Sequence, residues 1–189
     1  MLERITTHLA ERIVSENKQR EVVAFGLFIL FHGLINICTT IIIGCICGKV
    51  SEYVIFYFCF VPLRKFMGGF HSKTPLRCYF YSVILVVLSV ETACRITLKA
   101  WYWIPIGIVM LGCISFLPVE AFNKPLEDRE KKVFKLLAIM IFSVEYIVSF
   151  CLVIIGCINW VSSEMIISIM LCEVLVVMGI VERHYDTIQ

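Results

Sequence analysis

The sequence predicts an all-α fold, a polytopic membrane helical bundle of about six transmembrane helices, with a short second span and an N-terminal amphipathic interfacial helix. Three observations carry this. First, 60% of the 189 residues are hydrophobic and the mean hydropathy is +0.90. A soluble domain is about 45–50% apolar, and one of this size could not hide so much apolar surface in a single core. Second, the charged residues, 17% of the chain, are clustered and leave long stretches almost without charge, as expected for a chain solvated partly by lipid. Third, lysine and arginine gather on alternate connections. The formal net charge of +2 gives no indication of a nucleic-acid partner.

Residues 1–21 carry mixed charge, with Leu2, Ile5, Leu9 and Ile13 recurring every three or four positions and Glu3, Arg4, Glu11, Arg12 and Glu16 on other faces. This spacing predicts an amphipathic helix in the inner interface, a solvated cytoplasmic helix being the alternative. No cleavable signal pattern is expected here. Six apolar segments follow, at 22–47, 53–63, 79–98, 101–122, 133–157 and 161–181. A spanning helix needs roughly 20 residues, which five of them reach; the second is short enough to be partial or re-entrant. With no repeat or inter-domain linker, residues 1–189 read as a single membrane domain.

With six spans, one side of the bilayer receives Arg4, Arg12, Lys18 and Arg20, then Arg64, Lys65, Lys73 and Arg77, then Lys124, Arg129, Lys131, Lys132 and Lys135, and finally Arg183. The other receives Lys49, Arg95 and Lys99. The positive-inside rule places both termini in the cytoplasm. Trp101, Tyr102 and Trp103 are then expected as an aromatic belt on the outer face.

Most of the ten cysteines lie in or at the ends of apolar segments, where a free thiol behaves as a small hydrophobe. No Cys/His set has zinc-site spacing, and the chemistry expected below uses no metal and no cofactor. Cys78 differs. It follows the basic, glycine-containing stretch 64–78, where Thr74 suits an N-cap and Pro75 the first helical position. Cys78 would sit in the first turn of a helix, where unpaired N–H groups and the helix dipole favour a thiolate, and Arg77 and Lys73 add positive charge. His71 lies seven residues earlier, about 10.5 Å away on an unbroken helix, but Pro75 disfavours such a helix, and a turn at 72–74 could return the imidazole to the sulfur. Gly68 and Gly69 could admit a substrate backbone or offer N–H donors to an oxyanion. By themselves these features also fit a loop with no chemical role.

The run Arg64-Lys65, Gly69-Phe70-His71 and Cys78 resembles the signature of the accessory gene regulator B (AgrB) family, membrane cysteine peptidases of bacterial quorum sensing. The resemblance extends to length, the amphipathic N-terminus, the hydropathy profile and the segment Pro118-Val119-Glu120 with Asn123-Lys124-Pro125-Leu126. It implies His71 and Cys78 as the catalytic pair, and a bacterial cell-membrane enzyme that cuts an AgrD-like propeptide on its C-terminal side through a thioester. Cyclisation to a thiolactone or lactone would follow. It also implies a homodimer in contact with membrane lipid.

Arg64, Lys65, Gly68, Gly69, Ser72, Arg77, Glu120, Asn123, Lys124 and Pro125 are expected to bind substrate or support the site. Among these, Ser72, Glu120 and Asn123 could orient the histidine, or be cap and loop residues. Glu91, Glu145 and Glu173 could pair within the bundle or meet a basic propeptide, with Arg95 a local partner for Glu91. The basic loops could recruit an acidic propeptide tail or only set topology. The alternative function is a non-enzymatic transporter or peptide exporter, although no two-fold repeat supports it; no HExxH or GxSxG motif points to another enzyme class.

Overall fold

The computed structural model describes residues 2–14, 17–70, 74–96, 99–119, 127–156 and 158–188. Among them the regular elements are helices: α1 (Leu2–Ile13), α2 (Asn17–Cys47), α3 (Val50–Met67), α4 (Pro75–Ala93), α5 (Trp103–Cys113), α6 (Asp128–Ile155) and α7 (Asn159–Ile188). Each of the six apolar segments contains a helix, but the fourth is helical only as far as Phe116 among the described residues. By length and composition, four can cross a membrane: Gln19–Cys47, Leu76–Ala93, Asp128–Ile155 and Asn159–Tyr185. The second segment, expected to be the short one, is a continuous 18-residue helix, α3, that keeps Glu52, Arg64 and Lys65 near its ends. It is about 27 Å long. α3 is not among those four, and α5 is shorter still, with 11 residues and one further turn at Ile114–Phe116.

The chain forms two compact units, Met1–Ile42 and Ile43–Gln189. In the first, α1 buries Thr6 and Ala10 and turns Ile5 and Ile13 outward. Arg20 Nε, near the start of α2, donates to Val14 O just after α1 at 2.8 Å. Phe25, Ile29, Leu30 and Leu34 of α2 are exposed, as side chains solvated by lipid tails would be.

In the second unit α3, α4, α5 and α6 all pack on α7. Each presents one stripe at helical spacing: Tyr53, Phe56, Phe60, Leu63 and Met67 on α3, and Trp103, Ile106, Met110 and Cys113 on α5. The α6 stripe is Ala138, Phe142, Glu145 and Ser149. The opposite faces expose Phe58, Ile84, Leu88, Ile108, Leu111 and Ile147. Small and polar groups lie inside, the arrangement expected where lipid removes the hydrophobic drive between helices. Ser149, Ser162 and Ser168 are wholly buried. Ser162 Oγ donates to Ser149 O at 2.7 Å, and Trp103 Nε1 donates to Ser149 Oγ at 2.9 Å. Trp103 thus faces the core and not the expected belt, while the Trp101 and Tyr102 rings stack on each other.

Contacts at the two ends of this unit fix the alternation of the chain. At one end Lys49 Nζ lies 2.9 Å from Glu91 Oε2, Arg95 approaches the same oxygen at 3.7 Å, and Cys94 Sγ lies 3.7 Å from Glu164 Oε1. The α2–α3 connection, the end of α4 and the start of α7 therefore share an end. The expected Glu91–Arg95 pair is present, but Lys49 is the closer partner. At the other end the segments after α3 and α5 meet each other, and the first of them meets the second half of α7 at Leu175.

Candidate active site

α3 ends at Gly68, whose N–H donates to Arg64 O at 3.2 Å and whose φ is 73°. Gly69 follows, also at positive φ, 112°. Gly69 N donates to Val119 O at 3.1 Å, Val119 N to Met67 O at 2.9 Å, and Phe70 N to Leu175 O of α7 at 2.8 Å. These bonds form a single parallel bridge between Gly68 and Val119, laid across α7. Glycine is required at three points. A Cβ on Gly68 would lie 2.0 Å from Val119 O, and one on Gly69 2.6 Å from Leu175 O. One on Gly179 would lie 2.7 Å from both Gly69 C and Phe70 N. Of the two roles expected for the pair, admitting a substrate backbone or offering N–H donors, the second meets N–H groups already engaged by the chain itself, and the pair serves close packing.

α4 starts as its sequence requires. Thr74 is the N-cap, in extended conformation, and Pro75 occupies the first turn, although the threonine side chain makes no capping bond. Cys78 N donates to Thr74 O at 3.0 Å, so Cys78 is the first residue with an intrahelical bond. The N–H groups of Leu76 and Arg77 precede that first bond and have no partner within the helix. Cys78 is a half-buried free thiol.

Arg77 is exposed, whereas Arg64, on the last turn of α3, is part-buried and within electrostatic reach of the Cys172 and Cys78 thiols. Its Nη2 donates to Phe70 O. Its Nη1 is buried and has no hydrogen-bond partner among the described residues. Lys65 points outward, its Nζ 5.5 Å from the centroid of the Phe66 ring.

His71, Ser72, Glu120, Asn123, Lys124 and Pro125 lie outside the described residues, as does Lys73. Both flanks of the segment that carries His71 are fixed: Phe70 is bonded to α7 and to Arg64, and Thr74 caps α4.

The structure adds groups that sequence reasoning did not single out. Gly179 and the Leu175 carbonyl hold the 69–70 segment from α7. An open cavity of about 260 Å³ beside Val119 is lined by Phe116, Val119, Ile180, Arg183 and His184. Glu164 is 1% exposed, and it joins Glu145 and Glu173, which the sequence did single out, in having one carboxylate oxygen buried without a partner among the described residues.

A family profile, Accessory gene regulator B, matches residues 2–180. AgrB-like protein 2 of Clostridium perfringens strain 13 is 28% identical over 144 residues, which cover 70% of this chain and 67% of the relative. Protein FsrB of Enterococcus faecalis is 33% identical over 63 residues, 33% of this chain and 26% of the relative. An AgrB-like protein of Halalkalibacterium halodurans is 27% identical over 90 residues, 46% of each chain. No solved structure matches. Because the profile runs through nearly all of the sequence, from α1 into the last turns of α7, the chain belongs to the Accessory gene regulator B family.

Proposed function

We propose that this protein is a membrane-embedded cysteine endopeptidase of quorum sensing that cleaves an AgrD-like propeptide on its C-terminal side and promotes its cyclisation. The observation that carries the reading is the placement of Cys78. It is a half-buried free thiol in the first turn of α4, within electrostatic reach of Arg64, and separated from the anchored Phe70 only by the short segment containing His71.

In this reading Cys78 attacks the scissile carbonyl. His71 accepts the thiol proton and returns it to the leaving amine. The acyl group is then held as a thioester, which keeps it activated. A thiol or hydroxyl within the propeptide displaces Cys78 and closes a thiolactone or lactone ring. Tethering that nucleophile to the acyl group gives it a high effective concentration, and a partly dry site at the membrane boundary disfavours loss of the thioester to water. Arg64, Lys65, Arg77, Lys124, Lys131 and Lys132 would share the side from which the propeptide enters and favour an acidic segment of it. That side is the cytoplasm, with both termini, by the distribution of lysine and arginine. α1 lies in the inner interface with Ile5 and Ile13 toward lipid, and the active form is a homodimer.

The test is co-expression with a candidate AgrD-like propeptide, comparing wild type with Cys78→Ala and His71→Ala. Both variants are expected to insert normally and to leave the propeptide uncut; cleavage by Cys78→Ala would end the peptidase reading. A reporter fused at Lys99 tests orientation separately, since cytoplasmic activity there would reverse the topology.

A further inference from the structure

The cavity beside Val119 has a polarity that the peptidase chemistry does not use. Its open space of about 260 Å³ is walled by Phe116, in the turn after α5, by Val119, and by Ile180, Arg183 and His184 near the end of α7. Ile180, Arg183 and His184 stand three and four residues apart, so they share one face of the helix. Ile180 lies about 4.5–6 Å deeper along the axis than the two basic residues. The part of α7 that is long and apolar enough to cross a membrane ends at Tyr185. Arg183 and His184 therefore stand at a membrane surface, with Ile180 one turn further into the apolar layer. Across the cavity, Phe116 is exposed and apolar.

A matching occupant is apolar at its inner end and anionic at its outer end. The arginine offers a planar fork of N–H donors, and the histidine donates a ring N–H in either protonation state. Both suit phosphate oxygens, which the fork can meet in pairs. A phospholipid in the bilayer already has this order, with its phosphate at the surface and its chains below, and basic pockets between helices at that level take anionic headgroups. A peptide arriving from the aqueous side would meet the basic end first and have to carry an apolar group past it.

We propose that this cavity binds one anionic phospholipid, its phosphate held by Arg183 and His184 and the upper part of an acyl chain lying against Ile180 and Phe116. The remainder of the chains stays in the bilayer. Occupancy bears on the fold near the site. Val119 is part of the cavity wall, and its main chain accepts from Gly69 N at 3.1 Å and donates to Met67 O at 2.9 Å. A lipid seated there stands against this bridge, and a ligand bound only by the folded protein stabilises it.

The full-length protein in neutral detergent is titrated with phosphatidylglycerol and, separately, with phosphatidylcholine, whose headgroup has no net charge. Native mass spectrometry counts bound lipid, and thermal unfolding reads its effect. Wild type is expected to bind one phosphatidylglycerol about tenfold more tightly than phosphatidylcholine, the arginine alone being worth about fivefold beside an anionic headgroup. Its melting temperature should rise more with phosphatidylglycerol. Arg183→Gln combined with His184→Gln should bring the two lipids within threefold; both side chains are exposed, so the fold should survive. Arg129→Gln removes the same charge from an exposed position in the first turn of α6 and should keep the preference. Ile180→Trp, which fills the cavity, should weaken phosphatidylglycerol binding at least fivefold.

Equal binding of the two lipids by wild type would overturn the proposal. So would an undiminished preference in the double variant, or its loss in Arg129→Gln, which would make it a general effect of positive charge. If inorganic phosphate alone stabilises the protein as much as phosphatidylglycerol does, the site takes a free anion and the lipid assignment falls. If the double variant keeps its lipid preference but raises KM for the propeptide, the cavity is a peptide site. Cys78→Ala should bind lipid as wild type does whatever happens to cleavage, so the peptidase reading and this assignment stand or fall separately.

Discussion

Gly179→Ala separates the geometry of the site from the stability of the fold. Gly179 lies inside α7, where alanine is the better helix former by about 1 kcal/mol, so on helix propensity alone the substitution stabilises. Its added Cβ, however, would sit 2.7 Å from Gly69 C and Phe70 N and 2.8 Å from Gly69 Cα. Those atoms are backbone and cannot rotate away. Reaching an ordinary contact of 3.4 Å requires the 69–70 segment to retreat by about 0.7 Å. The retreat would stretch the 2.8 Å bond from Phe70 N to Leu175 O and pull on the carbonyl that Arg64 holds. A misplacement near 1 Å costs on the order of 100-fold in rate, or about 2.7 kcal/mol of barrier. The expected result is therefore a melting temperature in detergent within a few degrees of wild type and a propeptide cleavage rate down about 100-fold. Cleavage within threefold of wild type would refute the reasoning, because the 69–70 segment would then not be what α7 positions for catalysis.

Ile180→Trp should fill the cavity beside Val119 and leave KM for the propeptide within threefold of wild type; a rise of fivefold or more in steady-state kinetics would show that the cavity receives substrate. Trp103→Phe removes the buried bond to Ser149 and should cost about 0.6 kcal/mol, the usual size of such a bond between membrane helices, read as a lower melting temperature with cleavage intact. At the opposite end, the bond from Glu91 holds the pKa of Lys49 above its ordinary 10.5. A raised ammonium pKa contributes stability that is full below pH 10.5 and lost as pH rises through the raised value. Glu91→Gln should therefore melt below wild type at pH 8, with the gap narrowing at more alkaline pH; a gap independent of pH would exclude this ion pair as its cause.

What could be read in the sequence was local. Thr74-Pro75 marked the start of α4 and put Cys78 in its first turn, and the apolar runs marked six helices, because caps and hydropathy depend on residues close in the chain. Errors arose where tertiary contacts decide. The fourth segment read as reaching residue 122 because Leu117 and Val119 are apolar, yet they leave the helix and are buried against the rest of the bundle. Trp103 read as a belt residue because its neighbours are aromatic; only the position of Ser149 on α6 draws it inward. Arg64 read as one loop charge among several, since its burial depends on how the end of α3 packs. Gly179 gave no signal, because the contact that requires it comes from residues 69 and 70.

The central claim is that Cys78 carries the acyl group of the propeptide. It is tested most directly by intact-protein mass spectrometry after co-expression with a propeptide whose ring-closing side chain has been replaced by alanine. The account predicts a covalent adduct with the mass of the N-terminal fragment, located on Cys78, released by hydroxylamine and missing from Cys78→Ala. Cleavage of the natural propeptide by Cys78→Ala at the wild-type rate, with no adduct on the wild-type protein, would contradict it.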